Sequence, residues 1–362
     1  MANRTHLVVM QGDGISAEII AATLQVLREV DRLMSLGLTT EEVAVGLGPL
    51  KQQGTTFPDA SFEAARRADG VILGPVSHNE YPPVAQGGLN PSGEMRKRLD
   101  LYANIRPAKT RPGLPPRCGK PVDLVVVREN TEGFYADRNM FMNTGEFMPT
   151  PDLALAVRKI TREGSTRIAE TAFKLAMQRP RKKVTAVHKA NVLRVSDGLF
   201  LECTRAVAAR YPQVEYDEQI MDAMAALLVR DAPRFDVIVT TNMFGDILSD
   251  EASEISGSLG LAASLNAGHE HGVAQAQHGS APDIAGQNRA NPASLIGSTA
   301  MLLAWLGERR GDLNLTQAAD LIERALDATV ARPEWRTADL GGPLGTSAFG
   351  ERVAAVIADL AR

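Results

Sequence analysis

The chain has 362 residues, 44% hydrophobic and 23% charged, which predicts an ordinary soluble globular protein. Its 39 basic and 43 acidic residues give a net charge of −4, so no bulk positive field exists to draw in nucleic acid or an anionic membrane. Cys118 and Cys203 are too few for a disulfide framework and lack metal-ligand spacing, which fits a reducing, cytoplasmic setting.

The first residues, MANRTHLVVMQ, carry too short an apolar run for a signal peptide, and no segment approaches the roughly 18 apolar residues of a membrane span. Short apolar runs then recur along the chain: LVVM (7–10), VAVGL (43–47), GVILG (70–74), DLVVV (123–127), KVTAV (183–187) and FDVIVT (235–240). Helical patterns such as SAEIIAATLQVLREVDRLM and TREGSTRIAETAFKLAMQR lie between them. The alternation predicts an α/β chain with a mostly parallel sheet covered by helices.

The turn after the first strand has Gly12, Gly14 and Ala17 in the GxGxxA spacing of a dinucleotide-binding turn. Such a site also needs an acid at the end of the second strand to hold the ribose. The run VAVGLG ends in Gly46, Leu47 and Gly48, and Glu41 and Glu42 sit at its wrong end. The turn therefore reads as a glycine-permitted passage from strand to helix, and the cofactor is to be sought elsewhere.

Two long loops, 75–94 (PVSHNEYPPVAQGGLNPSGE) and 136–152 (ADRNMFMNTGEFMPTPD), interrupt the pattern. Loops of this length are functional or reach across an interface, and the Met/Phe-rich second loop reads either as packing or as a subunit-contact arm.

Three constellations carry chemistry. In TTNMFGDILSDEASEISGSLG (240–260), Asp246 and Asp250 are spaced i, i+4, so a helix starting near Gly245 turns both carboxylates one way. Paired oxygen donors after a buried strand suit Mg²⁺ or Mn²⁺, although Glu254 extends the same stripe as a solvated acidic face would. Arg96, Arg106 and Arg128 lie near the ends of apolar segments, with Tyr135 seven residues past the last, which suggests a polycarboxylate pocket. The third joins Lys189 in AVHKANVL to the small-residue loop QHGSAPDIAGQNRANP (277–292), where Asp283 is placed to accept ribose hydroxyls of NAD and repel an NADP phosphate.

Taken together, GDGIS, the arginine segment, NMFGDILSDEASEISGSLGL, HGSAPDIAG and DLGGPLGTSAF resemble the isocitrate/3-isopropylmalate dehydrogenase family, the metal-dependent β-decarboxylating dehydrogenases, over essentially the whole chain. The resemblance implies a two-domain α/β fold with a shared mixed, largely parallel sheet, not a Rossmann domain. Residues 1–100 with 255–362 would form the large cofactor-binding domain, and 101–254 the small domain with the dimer interface and an inter-subunit arm near 136–152. It further implies that NAD lies along His278, Gly279, Ser280, Ala281, Asp283, Ile284 and Asn291, the Asp283-Ile284 pair resembling the NAD-using branch. Arg96, Arg106 and Arg128 would clamp the malate part of a small hydroxy acid. Asp246 and Asp250 would bind Mg²⁺ or Mn²⁺ with Asp222 of a second subunit, which also supplies Lys189 as base, while Tyr135 would be the acid. The implied assembly is a cytoplasmic homodimer with shared sites, its pairing into tetramers left open.

Substrate choice in this family is made just before the first arginine. Here Asn90-Pro91-Ser92 exchanges the Ser-x-Asn of isocitrate users, and Ser92-Gly93 offers no wall for a branched alkyl group. A polar third group, as in isocitrate or homoisocitrate, is expected. The loop 75–94 and Gln275, where family members usually carry Glu, depart from the pattern and leave 3-isopropylmalate and D-malate or tartrate as alternatives. A silent regulatory subunit is the rival from another class, but it is expected to have lost Tyr135, Lys189 or a metal aspartate.

Overall fold

The computed structural model of the protein describes residues 4–135, 140–142 and 145–362. Ten strands make one sheet: β1 (Thr5–Gln11), β2 (Leu38–Ala44), β3 (Gly70–Leu73), β4 (Ala103–Lys109), β5 (Asp123–Glu129), β8 (Lys183–His188), β9 (Glu215–Ile220), β10 (Val237–Thr240), β11 (Leu265–Ala267) and β12 (Gly272–Gln275). Their order is β2-β1-β3-β12-β11-β4-β5-β10-β8-β9. Outer neighbours pair in parallel, but β12 with β11, β11 with β4 and β4 with β5 are antiparallel. Three reversals in a row make the two parallel sets run in opposite senses, so the sheet is mixed and largely parallel, and the fold is not a Rossmann domain.

The central strands are the apolar ones: β3, β5 and β10 are buried nearly throughout. The run VAVGL is not a strand as expected. The second strand, LTTEEVA, lies mostly earlier at an exposed edge, and only Val43 and Ala44 are shared. Its Thr and Glu side chains blunt that edge against pairing with another chain. β9, EYDEQI, is the opposite edge and just as polar.

Helices α1 (Ser16–Met34), α9 (Ala293–Arg310), α10 (Leu313–Val330) and α11 (Thr346–Leu360) bury Ile19, Leu302, Leu326 and Phe349 in one cluster with β1, β11 and β12. Another cluster, centred on Phe173 and Phe200, joins α5 (Arg162–Gln178) and α6 (Ser196–Ala208) to β5, β8 and β10. The shorter α2 (Leu47–Gln53) and α3 (Asp59–Arg67) connect β2 to β3, and α7 (Met221–Asp231) follows β9. Buried members of the four clusters come either from residues up to 101 and from 261 onward, or from 103 to 255.

Residues 75–94 form two single helical turns, His78–Glu80 and Val84–Gln86, and then enter α4 (Pro91–Arg98), whose N-cap Asn90 accepts from the Gly93 amide. Of the second loop, residues 136–139 and 143–144 lie outside the described residues. Next in the chain comes an antiparallel ribbon, β6 (Glu146–Thr150) and β7 (Leu153–Ala156), with Phe147, Met148, Leu153 and Leu155 exposed. Among the described residues no helix is long and apolar enough to cross a membrane.

Candidate active site

Arg106 on β4 faces Val126 on β5, and Arg128 on β5 faces Asn104 on β4. Side chains alternate along a strand, so this register puts both guanidiniums on one face of the sheet as diagonal neighbours. Helix α8 (Asn242–Ser256) starts immediately after β10 and lies over that face. It begins at Asn242, one turn earlier than expected from Gly245. Gly245 is where the helix crosses Arg128: a Cβ there would sit 2.6 Å from Arg128 Cβ and Cγ.

The close approach lets a stripe of α8 take up both arginines. Arg128 donates from Nε and Nη2 to Asn242 Oδ1 at 3.0 and 2.7 Å, and from Nη1 to Asp246 Oδ1. Arg106 Nη1 donates to Ser249 Oγ at 2.8 Å, Asp246 Oδ1 at 3.1 Å and Asp250 Oδ1 at 3.3 Å. The arginine side chains are 2% and 7% exposed and the aspartates 37% and 55%, so cations form the floor and carboxylates the mouth.

Burial opposes ionisation of Asp246, but the guanidiniums of Arg128, Arg106 and Arg96 outweigh it and hold its carboxyl below the usual range. Burial, and then repulsion by Arg128, push Arg106 down to about 10, which leaves it charged at neutral pH. Tyr135, at the end of the loop leaving β5, donates its hydroxyl to Asp246 Oδ2 at 3.3 Å.

These groups line one cleft of about 330 Å³, together with Asn90, Ser92 and Arg96 from α4 and its cap, and with His278 and Gly279 from the small-residue loop. Ser92 Oγ donates to Gln275 Oε1 at 2.9 Å, and Asn266 Nδ2 donates to the same oxygen at 3.2 Å. A separate cavity of about 360 Å³, between the far end of α8 and α10, is lined by alanines, serines and paired charges and holds none of these groups.

From Gly279 the loop leads outward. Ser280 is buried, Ala281 takes a left-handed conformation at φ 38°, and Asp283 and Ile284 form a short helical turn with the Asp283 carboxylate in solvent. Asn291 is buried at its far end, where Nδ2 donates to Asp339 Oδ2 at 3.0 Å. Two polar atoms at the root, His278 Nε2 and Gln277 Oε1, are buried without a hydrogen-bond partner within the chain, which leaves them open to a water or a ligand.

Lys189 and Asp222 do not line this cleft in one chain. They follow the paired parallel strands β8 and β9, where His188 faces Ile220, so the two side chains emerge together and Lys189 Nζ donates to Asp222 Oδ1 at 2.5 Å. That bond holds the Asp222 carboxyl below its usual range. Asp222 is 71% exposed, and the apolar side chains of Val192 and Val195, a few residues beyond Lys189, and of Val229 and Ile247 are exposed as well. Sequence reasoning missed Gln277 and Ser264 in the cleft lining and the buried Ser249 that takes an Arg106 donor; Ser249 lies on the Asp246 stripe at i+3 and was findable by helical spacing.

The chain matches known proteins along nearly its whole length. The sequence profile described as isocitrate/isopropylmalate dehydrogenase matches residues 6–353. A 3-isopropylmalate dehydrogenase of Methanothermobacter thermautotrophicus is 40% identical over 98% of both chains. An isocitrate/homoisocitrate dehydrogenase of Thermus thermophilus is 41% identical over 98% of this chain and 99% of its own. The crystal structure of isocitrate dehydrogenase from Methylococcus capsulatus superposes with a TM-score of 0.86 at 37% identity, covering 98% and 99% of the two chains. The protein is an oxidoreductase of the dehydrogenase class. It belongs to the isocitrate/isopropylmalate dehydrogenase family.

Because α8 touches Arg128 at Gly245, Gly245→Ala must push the helix off the arginine. Overpacking of this kind costs about 1–3 kcal/mol, to be read as a lowered denaturation midpoint. An unchanged midpoint would mean that α8 is not seated on Arg128.

Proposed function

We propose that this chain catalyses the oxidative decarboxylation of a 3-substituted malate of the isocitrate or homoisocitrate kind, with NAD as oxidant and Mg²⁺ or Mn²⁺ as cofactor. The observation that carries the reading is the pair of buried arginines beneath Asp246 and Asp250, with the Tyr135 hydroxyl on the same carboxylate. Guanidiniums grip carboxylates in two-point fashion, and oxygen-only donors suit a hard dication.

One chain offers that dication two carboxylates, and among the described residues no group of three or more His, Cys, Asp or Glu could hold a metal. Asp222 of a second copy would complete the set, brought in with Lys189 when the surface around Val192, Val195 and Ile247 is covered. The homodimer is thus part of the proposal, as is the division into residues 1–100 with 255–362 and residues 101–254, supported by the separate buried clusters.

NAD would lie along residues 278–291, supported by the orphaned His278 Nε2 at the root and the exposed Asp283 further out. Asp283 favours free ribose hydroxyls over a phosphate. The bound dinucleotide would take the hydride, while the bound cation would polarise the oxygen at C2. Arg96, Arg106 and Arg128 hold the acid's carboxylates. Lys189 of the second copy takes the C2 hydroxyl proton; the C–C bond to the C3 carboxylate then breaks, CO₂ leaves, and Tyr135 returns a proton to C3.

The third group of the acid would meet Ser92, Asn90 and Gln275, whose oxygen is already taken by Ser92 and Asn266, so its NH₂ is the donor offered to a ligand. A hydrogen-bonding group fits these residues better than an isopropyl group. The names of the relatives divide between the two kinds of acid at nearly equal identity, 40% and 41%, so the support for this reading comes from the cleft residues and not from those names.

NADH absorbance should rise with isocitrate or homoisocitrate plus Mn²⁺, fall to background with a chelator, and respond weakly to 3-isopropylmalate, D-malate or tartrate. Strong preference for 3-isopropylmalate overturns the substrate reading; activity indifferent to chelation overturns the metal. Tyr135→Phe should keep acid binding, measured by calorimetry, and lose about 10²–10⁴ in turnover as a missing general acid does. If sites are shared, inactive Lys189→Ala and Tyr135→Phe chains refolded together should regain activity, since half the dimers are mixed and each then has one intact site, about a quarter of all sites. No recovery in verified mixed dimers would place both residues in one chain's site.

A further inference from the structure

The turn at Gly12–Gly14 binds no dinucleotide in the proposed function, yet it is held more tightly than a turn requires. Asp13 is 8% exposed, and its carboxylate takes three donors from two other segments. Oδ1 accepts from the Leu47 amide at 2.8 Å; Oδ2 accepts from the Ser77 amide at 2.9 Å and the Tyr81 hydroxyl at 2.5 Å. The Asp13 amide itself donates to Pro75 O at 2.8 Å, and the Ile15 amide to Ser280 O at 2.9 Å. Ser77 Oγ and Ser280 Oγ share a hydrogen bond of 2.8 Å.

The glycines are explained by these contacts. A Cβ on Gly12 would lie 2.1 Å from Pro75 O, one on Gly14 2.0 Å from Ser280 O, and one on Gly46 2.4 Å from Asp13 Oδ1. Backbone is packed on backbone where loop 75–94 meets the loop beginning at His278. Both loops line the cleft next to the held residues: Val76 and His78 flank Ser77, and Gly279 precedes Ser280. Burial and the bond to Asp13 push the Tyr81 phenol above its usual range, so it stays a donor.

We propose that Asp13 is a positioning residue that locks the acid-binding loop through Ser77 and Tyr81 and registers it, through the Ser77–Ser280 pair, against the cofactor loop. Each half of the cleft is then held in shape by the other, and filling one half favours the other with equal strength in both directions. The inference rests on the reading that residues 278–291 take the dinucleotide and that the acid lies beside residues 90–96.

Tyr81→Phe removes one hydrogen bond to a charged group and keeps the ring. Such a bond is worth about tenfold in an equilibrium, so KM for the acid should rise about tenfold, KM for NAD should rise with it, and kcat should change much less. A merely structural role would lower the active fraction, hence kcat, and leave both KM values alone. Asp13→Asn leaves one acceptor oxygen for three donors and sets an NH₂ against at least one of them, so it should raise both KM values further; adding Tyr81→Phe to it should cost little more, because both act on the same carboxylate cluster. Amide hydrogen exchange of the ligand-free protein supplies a readout independent of turnover: in Tyr81→Phe, residues 76–90 and 278–286 should both exchange faster. Unchanged KM values in an active variant, or faster exchange confined to residues 76–90, overturn the proposal. A wild-type protein that oxidises none of the acids overturns the functional reading instead, and the exchange result alone then decides the role of Asp13.

Discussion

The contact on which the rest of the cleft depends is the one between Arg128 and the first turns of α8. A guanidinium that is 2% exposed is tolerable only if its donors are used, and here Asn242 takes two of them and Asp246 a third. That requirement explains the lack of a side chain at Gly245, the start of the helix at Asn242 and the register that sets Arg106 beside Arg128. It also explains why Asp246 is ionised although it is partly buried: the positive floor outweighs the loss of water, and the carboxylate completes it. A dication arriving at Asp246 and Asp250 would not meet free carboxylates but would share them with the arginines, whose remaining donors would be left for the carboxylates of the proposed acid.

The parts of the fold that were legible in the sequence are those whose burial is two-sided. β1, β3, β5, β8 and β10 are short apolar runs because both faces are covered, and such runs stand out from any polar surroundings. The edge strands were not legible for the converse reason. LTTEEVA and EYDEQI carry no apolar run, being held by pairing with one neighbour and otherwise exposed or half-buried, so the run VAVGL at the end of β2 drew attention to the wrong segment. β4, β11 and β12, which reverse the sense of the sheet, are similarly quiet: ANIRPAK interrupts its apolar residues with the arginine the site needs.

Within the site, the residues that could be read were charged ones on recognisable spacings, Asp246 with Asp250 and the three arginines. Those that could not be read were the neutral partners whose identity depends on distant chain. Gln277 reaches Asp250 Oδ1 at 2.7 Å, Ser92 meets Gln275, and Asn104 Nδ2 meets Ser264 Oγ at 2.8 Å across 160 residues. No local pattern encodes such pairs, because they are decided by which strands become neighbours. The turn at Gly12 shows the reverse error. Its glycines looked like those of a phosphate-binding turn, but each is small because another stretch of backbone passes within contact distance of it.

A single chain presents the cleft and the Lys189–Asp222 pair on different surfaces, which bears on why the proposed site would be divided between copies. In isolation Lys189 and Asp222 pair with one another at the surface, so each is already engaged by the other. Covering the apolar side chains around them by a second copy would bring a carboxylate and an amine to a cleft where, within the chain, three guanidiniums face two carboxylates. The added carboxylate would meet a dication instead of an ammonium, and Lys189 Nζ would be brought beside the bound acid. Assembly of this kind would make the base available only where acid and metal are already held, which is a reason for a chain to keep its amine out of its own cleft.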